Sequence, residues 1–189
     1  MTHAPVDDFE LLYDRDPDPW SFATSDYEQR RYDVTVASLL RPRYHRAFEP
    51  GCAIGELTRR LAARCDEVIA SEPSPTALRT ARSRCTDLPN VALEPGELPD
   101  DWPAGSFDLV VLSEIGYYFE VPELLMVRDR AVGTLEAGGT LVAVHWRGHS
   151  EAHLLHGDVV HEHLRQAAGV RHVGGYLDAG FRLDLWERQ

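Results

Sequence analysis

The chain has 189 residues, 43% of them hydrophobic, which is enough for one well-buried domain and too few for a second of ordinary size beside it. Its 31 acidic against 19 basic residues leave a formal charge of −12, so the average surface repels nucleic-acid phosphates and anionic lipid headgroups, and neither is expected as a partner. No apolar run approaches the roughly 20 residues that span a bilayer, Met1-Thr2-His3-Ala4-Pro5 lacks the basic and apolar stretches of a secretory signal, and the scattered Cys52, Cys65 and Cys85 suit neither a disulfide framework nor a paired-cysteine zinc site. A reducing, cytoplasmic setting is the expectation.

The first stretch is polar and turn-rich, with Asp16-Pro17-Asp18-Pro19 leading to Trp20. A helical pattern opens at Asp26 and is carried by Tyr32, Val36, Leu39 and Leu40 until Pro42 stops it. Residues 1–44 therefore read as a helical arm ahead of a core at 45–189, within one domain. From His45, short apolar runs alternate with helical segments: a strand from Arg46 to Glu49, a helix from Gly55 to Arg64, and a buried strand from Glu67 to Glu72. Ser74-Pro75 supplies an N-cap and first-turn proline for a helix to about Arg84. Strands follow at Asn90 to Glu94 and Phe107 to Leu112, then a helix from Pro122 to Leu135 closed by Gly138-Gly139, and a strand from Thr140 to Val144. The alternation predicts a parallel sheet with helices on both faces. Ser150 to Ala168 reads as one more helix. Val170 to Leu177 and Phe181 to Trp186 are separated only by Asp178-Ala179-Gly180, a link too short for a parallel crossover, so they are expected to form an antiparallel hairpin.

The chemistry concentrates at the first strand-to-helix turn, Glu49-Pro50-Gly51-Cys52-Ala53-Ile54-Gly55. A glycine-containing turn there lets backbone approach a ligand and sets free N–H groups and a helix start beside it. Two ligand classes use that geometry. A dinucleotide needs G-x-G-x-x-G, and Glu56 stands where the third glycine would be, placing a carboxylate near the pyrophosphate. S-adenosylmethionine carries a sulfonium and an ammonium and no phosphate, so nearby carboxylates suit it. Glu49 ends the first strand, and Glu72 ends the second about 20 residues past the first glycine, where a carboxylate accepts from ribose hydroxyls.

On these residues the chain, from about His45 onward, resembles the class I S-adenosylmethionine-dependent methyltransferases, whose first motif is an acid followed by G-x-G-x-G. Asp18-Pro19-Trp20, the run Tyr27 to Tyr32 and the pair Tyr117-Tyr118 are similar to the nodulation protein S-like group within them. The resemblance implies a Rossmann-like α/β fold with a seven-stranded, mostly parallel sheet and an antiparallel last strand. It places Glu49, Gly51, Cys52, Ala53 and Gly55 on the cofactor turn, Glu72 on the ribose with Pro73 beside it, Gly96, Glu97 and Leu98 around adenine, and Ser113 near the transferable methyl. It departs from the pattern at Ala53, which replaces the middle glycine, and at Glu72, one methylene longer than the commoner aspartate. The arm is implied to close over the methionine end. There Trp20 would offer an aromatic face to the sulfonium or simply plug the arm onto the sheet, and Arg31 would pair with the cofactor carboxylate or sit as a surface arginine.

Acceptor groups are expected near the carboxyl ends of strands four and five, which selects Glu114, Tyr117, Tyr118 and His145. Glu114 would anchor or deprotonate an amine, and His145 would act as a base, the alternative being a satisfied histidine at a strand end. Six histidines between His145 and His163 raise a metal site, but no H-E-x-x-H or cysteine partner accompanies them, and none is expected. The reading is a methyltransferase acting on N, or O, of a small, sugar-like acceptor. A binding protein that keeps the cofactor without turnover and a nicotinamide-dependent oxidoreductase are the alternatives.

Overall fold

The computed structural model describes residues 6–189; the Met1 to Pro5 segment, read for its lack of a secretory signal, lies outside the described residues. The chain divides into two compact units, residues 6–97 and Leu98–Gln189.

Residues 6–97 hold helices α1 (Val6–Arg15) and α2 (Asp26–Ala37), then β1 (Tyr44–Pro50), α3 (Glu56–Ala62), β2 (Cys65–Glu72), α4 (Pro75–Arg84) and β3 (Val91–Pro95). The three strands are parallel in the order β3-β2-β1, with Glu49 opposite Ala70 and Glu72 opposite Pro95. Ser74 caps α4 as its sequence predicts, its Oγ accepting from Ala77 N at 3.1 Å. Helix α1 is an addition to the turn-rich segment that the sequence suggested. Its Glu10 bonds the Ser74 and Thr76 hydroxyls and accepts from Thr76 N at 3.2 Å. A carboxylate thereby sits on the positive end of α4 and ties the arm down.

Leu98–Gln189 hold β4 (Phe107–Ser113), a single 3-10 turn (Gly116–Tyr118), α5 (Val121–Thr134), β5 (Leu135–Trp146), α6 (Gly157–Arg165), β6 (Val170–Leu177) and β7 (Phe181–Arg188). Here the order is β4-β5-β7-β6: β4 and β5 are parallel, and β7 is antiparallel to both its neighbours. The hairpin forms as its short link requires, with Asp178 Oδ1 accepting from Gly180 N at 2.7 Å and Phe181 N at 3.0 Å. Among the described residues the strands make up the seven-stranded, mostly parallel sheet.

Two boundaries differ from the sequence reading. Gly138-Gly139 does not close α5, which passes straight into β5 at Leu135; the glycines lie within β5, where the pairing jumps from Phe107 with Leu135 to Leu109 with Thr140 and the intervening residues bulge. The helix expected over 150–168 is only Gly157–Arg165. The chain ahead of it passes so close to β5 that a Cβ on Gly157 would lie 2.3 Å from the Trp146 carbonyl oxygen, and the helix starts there with His156 as its cap, Nδ1 accepting from Asp158 N.

Candidate functional site

In residues 6–97 the turn after β1 is built from three left-handed residues at alternate positions, Gly51 (φ 68°), Ala53 (φ 50°) and Gly55 (φ 84°). Glycine adopts this conformation freely, whereas Ala53 does so at a cost of about 1–2 kcal/mol. Gly55 is needed twice over, because a Cβ there would also meet Ala81 Cα, Ala81 Cβ and Cys85 Sγ at 3.3 Å each. The turn is laced to β2: Cys52 N donates to Ser71 O at 3.0 Å, and Ala53 N donates to Glu72 Oε2 at 2.9 Å. The other oxygen of Glu72 accepts from Ser74 N at 3.0 Å. One buried carboxylate therefore fixes both the turn and the approach to α4.

Glu49 is buried at 2% exposure and accepts from Thr58 Oγ1 of α3 at 2.7 Å. Burial pushes its carboxyl up to about 8, the Thr58 hydrogen bond opposing and the Glu72 charge adding. Glu72 is pushed up to about 7, again by burial, against the N–H groups of Ser74 and Ala53. Burial and these two acids together raise the Cys52 thiol well above its usual range. The cluster is poised for a cationic, hydroxyl-bearing ligand, since either carboxylate gains by meeting positive charge or O–H donors. Ser71 Oγ, buried beside it, makes no hydrogen bond. Pro73 is partly exposed beyond Glu72, and Gly96 N approaches Glu72 O at 3.4 Å; Glu97 is partly buried. Glu56 corrects one step of the sequence argument. It is not a bare charge in the turn but is held by Arg60 and Arg84, so the missing third glycine, rather than charge repulsion, distinguishes this turn from a dinucleotide one.

Trp20 stacks on Phe22 (5.5 Å, 21°) and meets Tyr13 edge-on (5.5 Å, 65°). Phe22 and Ala53 in turn pack on the cluster of Tyr13, Ile54 and Ala77, while Trp20 keeps 36% exposure. Arg31 is no surface arginine: it is 1% exposed, paired with Glu28 one turn earlier on α2.

In Leu98–Gln189, Leu98 is buried and Ser113 ends β4 partly buried. Glu114 follows at φ 60°, with Oε1 accepting from Trp146 N at 2.7 Å and Oε2 accepting from Tyr117 OH at 2.6 Å. The Tyr117 ring stacks on His153 at 3.8 Å. Burial, helped by Glu114, pushes the Tyr118 phenol up. Glu114 and Tyr117 are thus brought together by a direct hydrogen bond. His145 lies beside them but not as a base. It is fully buried, Nε2 accepts from Gly116 N at 3.0 Å, and Nδ1 is 3.1 Å from His161 Nε2, so neither nitrogen is left to take a proton from an acceptor. The alternative of a satisfied histidine at a strand end is the one the structure shows. Beyond it, His161 Nδ1 lies 2.8 Å from Asp184 Oδ2, and Asp184 also bonds His172 and Arg182. Sequence reasoning missed His161 and Asp184 as partners because α6 and β7 meet only in three dimensions. Among the described residues no group of three or more His, Cys, Asp or Glu could hold a metal ion, and no helix is long and apolar enough to cross a membrane.

A family model for nodulation protein S (NodS) matches residues 7–150. The chain belongs to the NodS family. Curated NodS relatives include one from Rhizobium tropici, 28% identical over 127 residues, 66% of this chain and 53% of that protein. Another, from Bradyrhizobium diazoefficiens, is 30% identical over 131 residues, 66% of this chain and 61% of that protein. The chain thus spans somewhat more than half the length of these NodS relatives. Among solved structures, a Pseudomonas syringae protein provisionally assigned as a methyltransferase is 39% identical, with a TM-score of 0.77 over 86% of this chain and 99% of its own. The N-methyltransferase NodS from Bradyrhizobium japonicum WM9, solved with S-adenosyl-L-homocysteine, superposes with a TM-score of 0.83 over 98% of both chains at 21% identity. The fold is that of class I S-adenosylmethionine-dependent methyltransferases.

Proposed function

We propose that this NodS-family chain is an S-adenosylmethionine-dependent N-methyltransferase acting on an amine of a small, sugar-like acceptor. The observation that carries the reading is Glu72: its carboxylate is held by the N–H groups of Ala53 and Ser74 at the edge of a left-handed turn, with lone pairs remaining for ribose hydroxyls and no basic residue in the turn to favour phosphate. Buried Glu49 supports it because its carboxyl, which burial keeps protonated up to about pH 8, would be drawn into its ionised form by an ammonium or sulfonium charge nearby. Gly51, Cys52, Ala53, Gly55, Pro73, Gly96, Glu97, Leu98 and Ser113 are the proposed lining, with Trp20 facing the sulfonium and Arg31 held for the cofactor carboxylate.

Bound S-adenosylmethionine supplies the methyl group as an electrophilic carbon. The protein's part is alignment and proton handling. In the proposed reaction a neutral acceptor nitrogen forms the new N–C bond as the S–C bond breaks, and the resulting ammonium sheds its proton. Glu114 is assigned to orient that nitrogen and accept the proton, with Tyr117 fixing the carboxylate through its 2.6 Å hydrogen bond. His145 has no proton-transfer role.

Calorimetry with S-adenosylhomocysteine and NAD tests the cofactor, and labelled methyl donor with a panel of amino sugars and simple amines tests turnover. Tight NAD binding without S-adenosylhomocysteine binding would overturn the reading. Cofactor binding with no transfer to any acceptor would instead support the non-catalytic binding protein.

A further inference from the structure

Behind the turn that carries Tyr117, a chain of three hydrogen bonds runs through side chains shut off from solvent. Gly116 N donates to His145 Nε2 at 3.0 Å, which requires a bare Nε2 and places the ring proton on Nδ1. Nδ1 then donates to His161 Nε2 at 3.1 Å, and His161, its own proton consequently on Nδ1, donates to Asp184 Oδ2 at 2.8 Å. His145 and His161 are both 0% exposed, and Asp184 is 7% exposed and anchored further by Arg182 at 2.7 Å and His172 at 2.7 Å. The direction of every bond follows from the one before it, so each tautomer is determined.

Packing points the same way. A Cβ on Gly116 would fall 2.4 Å from Val160 Cγ1 and 2.8 Å from His145 Nε2, so the backbone of the turn is seated directly on α6 and on the imidazole. Val160 and His161 are neighbours on α6, one pressing on the turn and the other orienting the ring that holds it.

We infer that His161 and Asp184 are positioning residues: through His145 they hold the Gly116 N–H, and with it the turn that presents Tyr117 to Glu114. Resting on the proposed methyl transfer, the consequence for turnover is a loss of kcat without a change in donor KM. His161 and Asp184 touch no substrate in this scheme. They act by fixing which face of His145 meets the turn.

The test uses His161→Leu, which removes the acceptor for His145 Nδ1, and His161→Gln, whose amide oxygen restores one. In the wild-type protein, imidazole 15N shifts should place the His145 proton on Nδ1. In His161→Leu, the Gly116 amide should exchange with solvent about tenfold faster or more, with β4 and β7 amides unchanged, and His161→Gln should return it to the wild-type rate. A wild-type His145 protonated at Nε2, a Gly116 amide indifferent to His161→Leu, or a Gln variant as exposed as the Leu variant would each overturn the inference. If His161→Leu does not fold, the wild-type shifts and the Gln variant still decide it. Methyl transfer is read alongside. A kcat lowered about tenfold in His161→Leu and recovered in His161→Gln supports the inference, whereas a wild type that methylates nothing defeats the proposed function and leaves the exchange result to decide the relay.

Discussion

Glu72 accepts the backbone N–H of Ala53 at 2.9 Å, so the last residue of β2 holds the one non-glycine residue among the three left-handed positions of the β1–α3 turn. The same carboxylate takes the N–H of Ser74, and a side chain expected to bind ribose is therefore also the clasp of its own loop.

Glu72→Ala should lower affinity for S-adenosylhomocysteine by about 1.5–3 kcal/mol, the worth of hydrogen bonds to a charged group. Glu72→Gln should not rescue it, because an amide turns one of its two ends into a donor and cannot accept from Ala53 and Ser74 at once. Calorimetry on variants with a native circular-dichroism spectrum checks both, and undiminished affinity in Glu72→Ala would show that another residue holds the ribose.

Ala53 gives a prediction of opposite sign. Its φ of 50° is a strained conformation for alanine, so Ala53→Gly should relieve about 1 kcal/mol, partly offset by the added freedom of the unfolded chain. Ala53→Val should destabilise by more than about 1 kcal/mol, β-branching being worst tolerated at positive φ. Urea midpoints of the three proteins should rank Val below Ala, with Gly at or above Ala.

Gly116→Ala should destabilise by about 1–3 kcal/mol, because the new methyl must displace Val160 and the His145 ring. A shifted thermal midpoint together with a changed His145 NMR signal is expected. A methyl accommodated with neither effect would mean that the turn is looser than its contacts indicate.

The Glu49 carboxyl sets a pH dependence. Burial raises it to about 8 in the folded protein, above its unfolded value, so the folded state keeps the proton over a range where the unfolded state has lost it. The stability associated with that proton is present at low pH and declines as pH rises toward about 8. Wild type should therefore lose stability relative to Glu49→Gln between pH 6 and pH 8, by up to about 1.4 kcal/mol per pH unit. Urea unfolding of the pair at several pH values measures the difference, and parallel curves would refute the shift.

The strand and helix alternation was readable because each signal is local. Ser74-Pro75 starts a helix wherever it stands, and the three residues from Asp178 to Gly180 permit only a hairpin. Turn, Glu49 and Glu72 were readable for the same reason, as fixed spacings around two strand ends. What escaped depended on contacts distant in sequence. Glu10 looks like a surface acid until α1 lies along α4; Arg31 looks solvated until Glu28 and Tyr32 are seen around it. His145 looked reactive at its strand end, and only the positions of Gly116 and His161 show that its two nitrogens are committed. The helix expected over 150–168 was overrun for a related reason: close approach of Gly157 to β5, invisible in the residue pattern, delays its start.

Strand β7 comes after β6 in the chain yet lies between β5 and β6 in the sheet. The β6–β7 hairpin therefore joins the sheet through β7 alone, which covers the β5 edge that would otherwise carry unpaired backbone groups. Because Asp184 rides on β7, the strand that covers that edge also carries the far end of the hydrogen-bonded chain to Gly116. A substitution that loosened β7 at the sheet edge would therefore be felt at the turn carrying Tyr117, so the edge strand and the proposed acceptor site share one anchor.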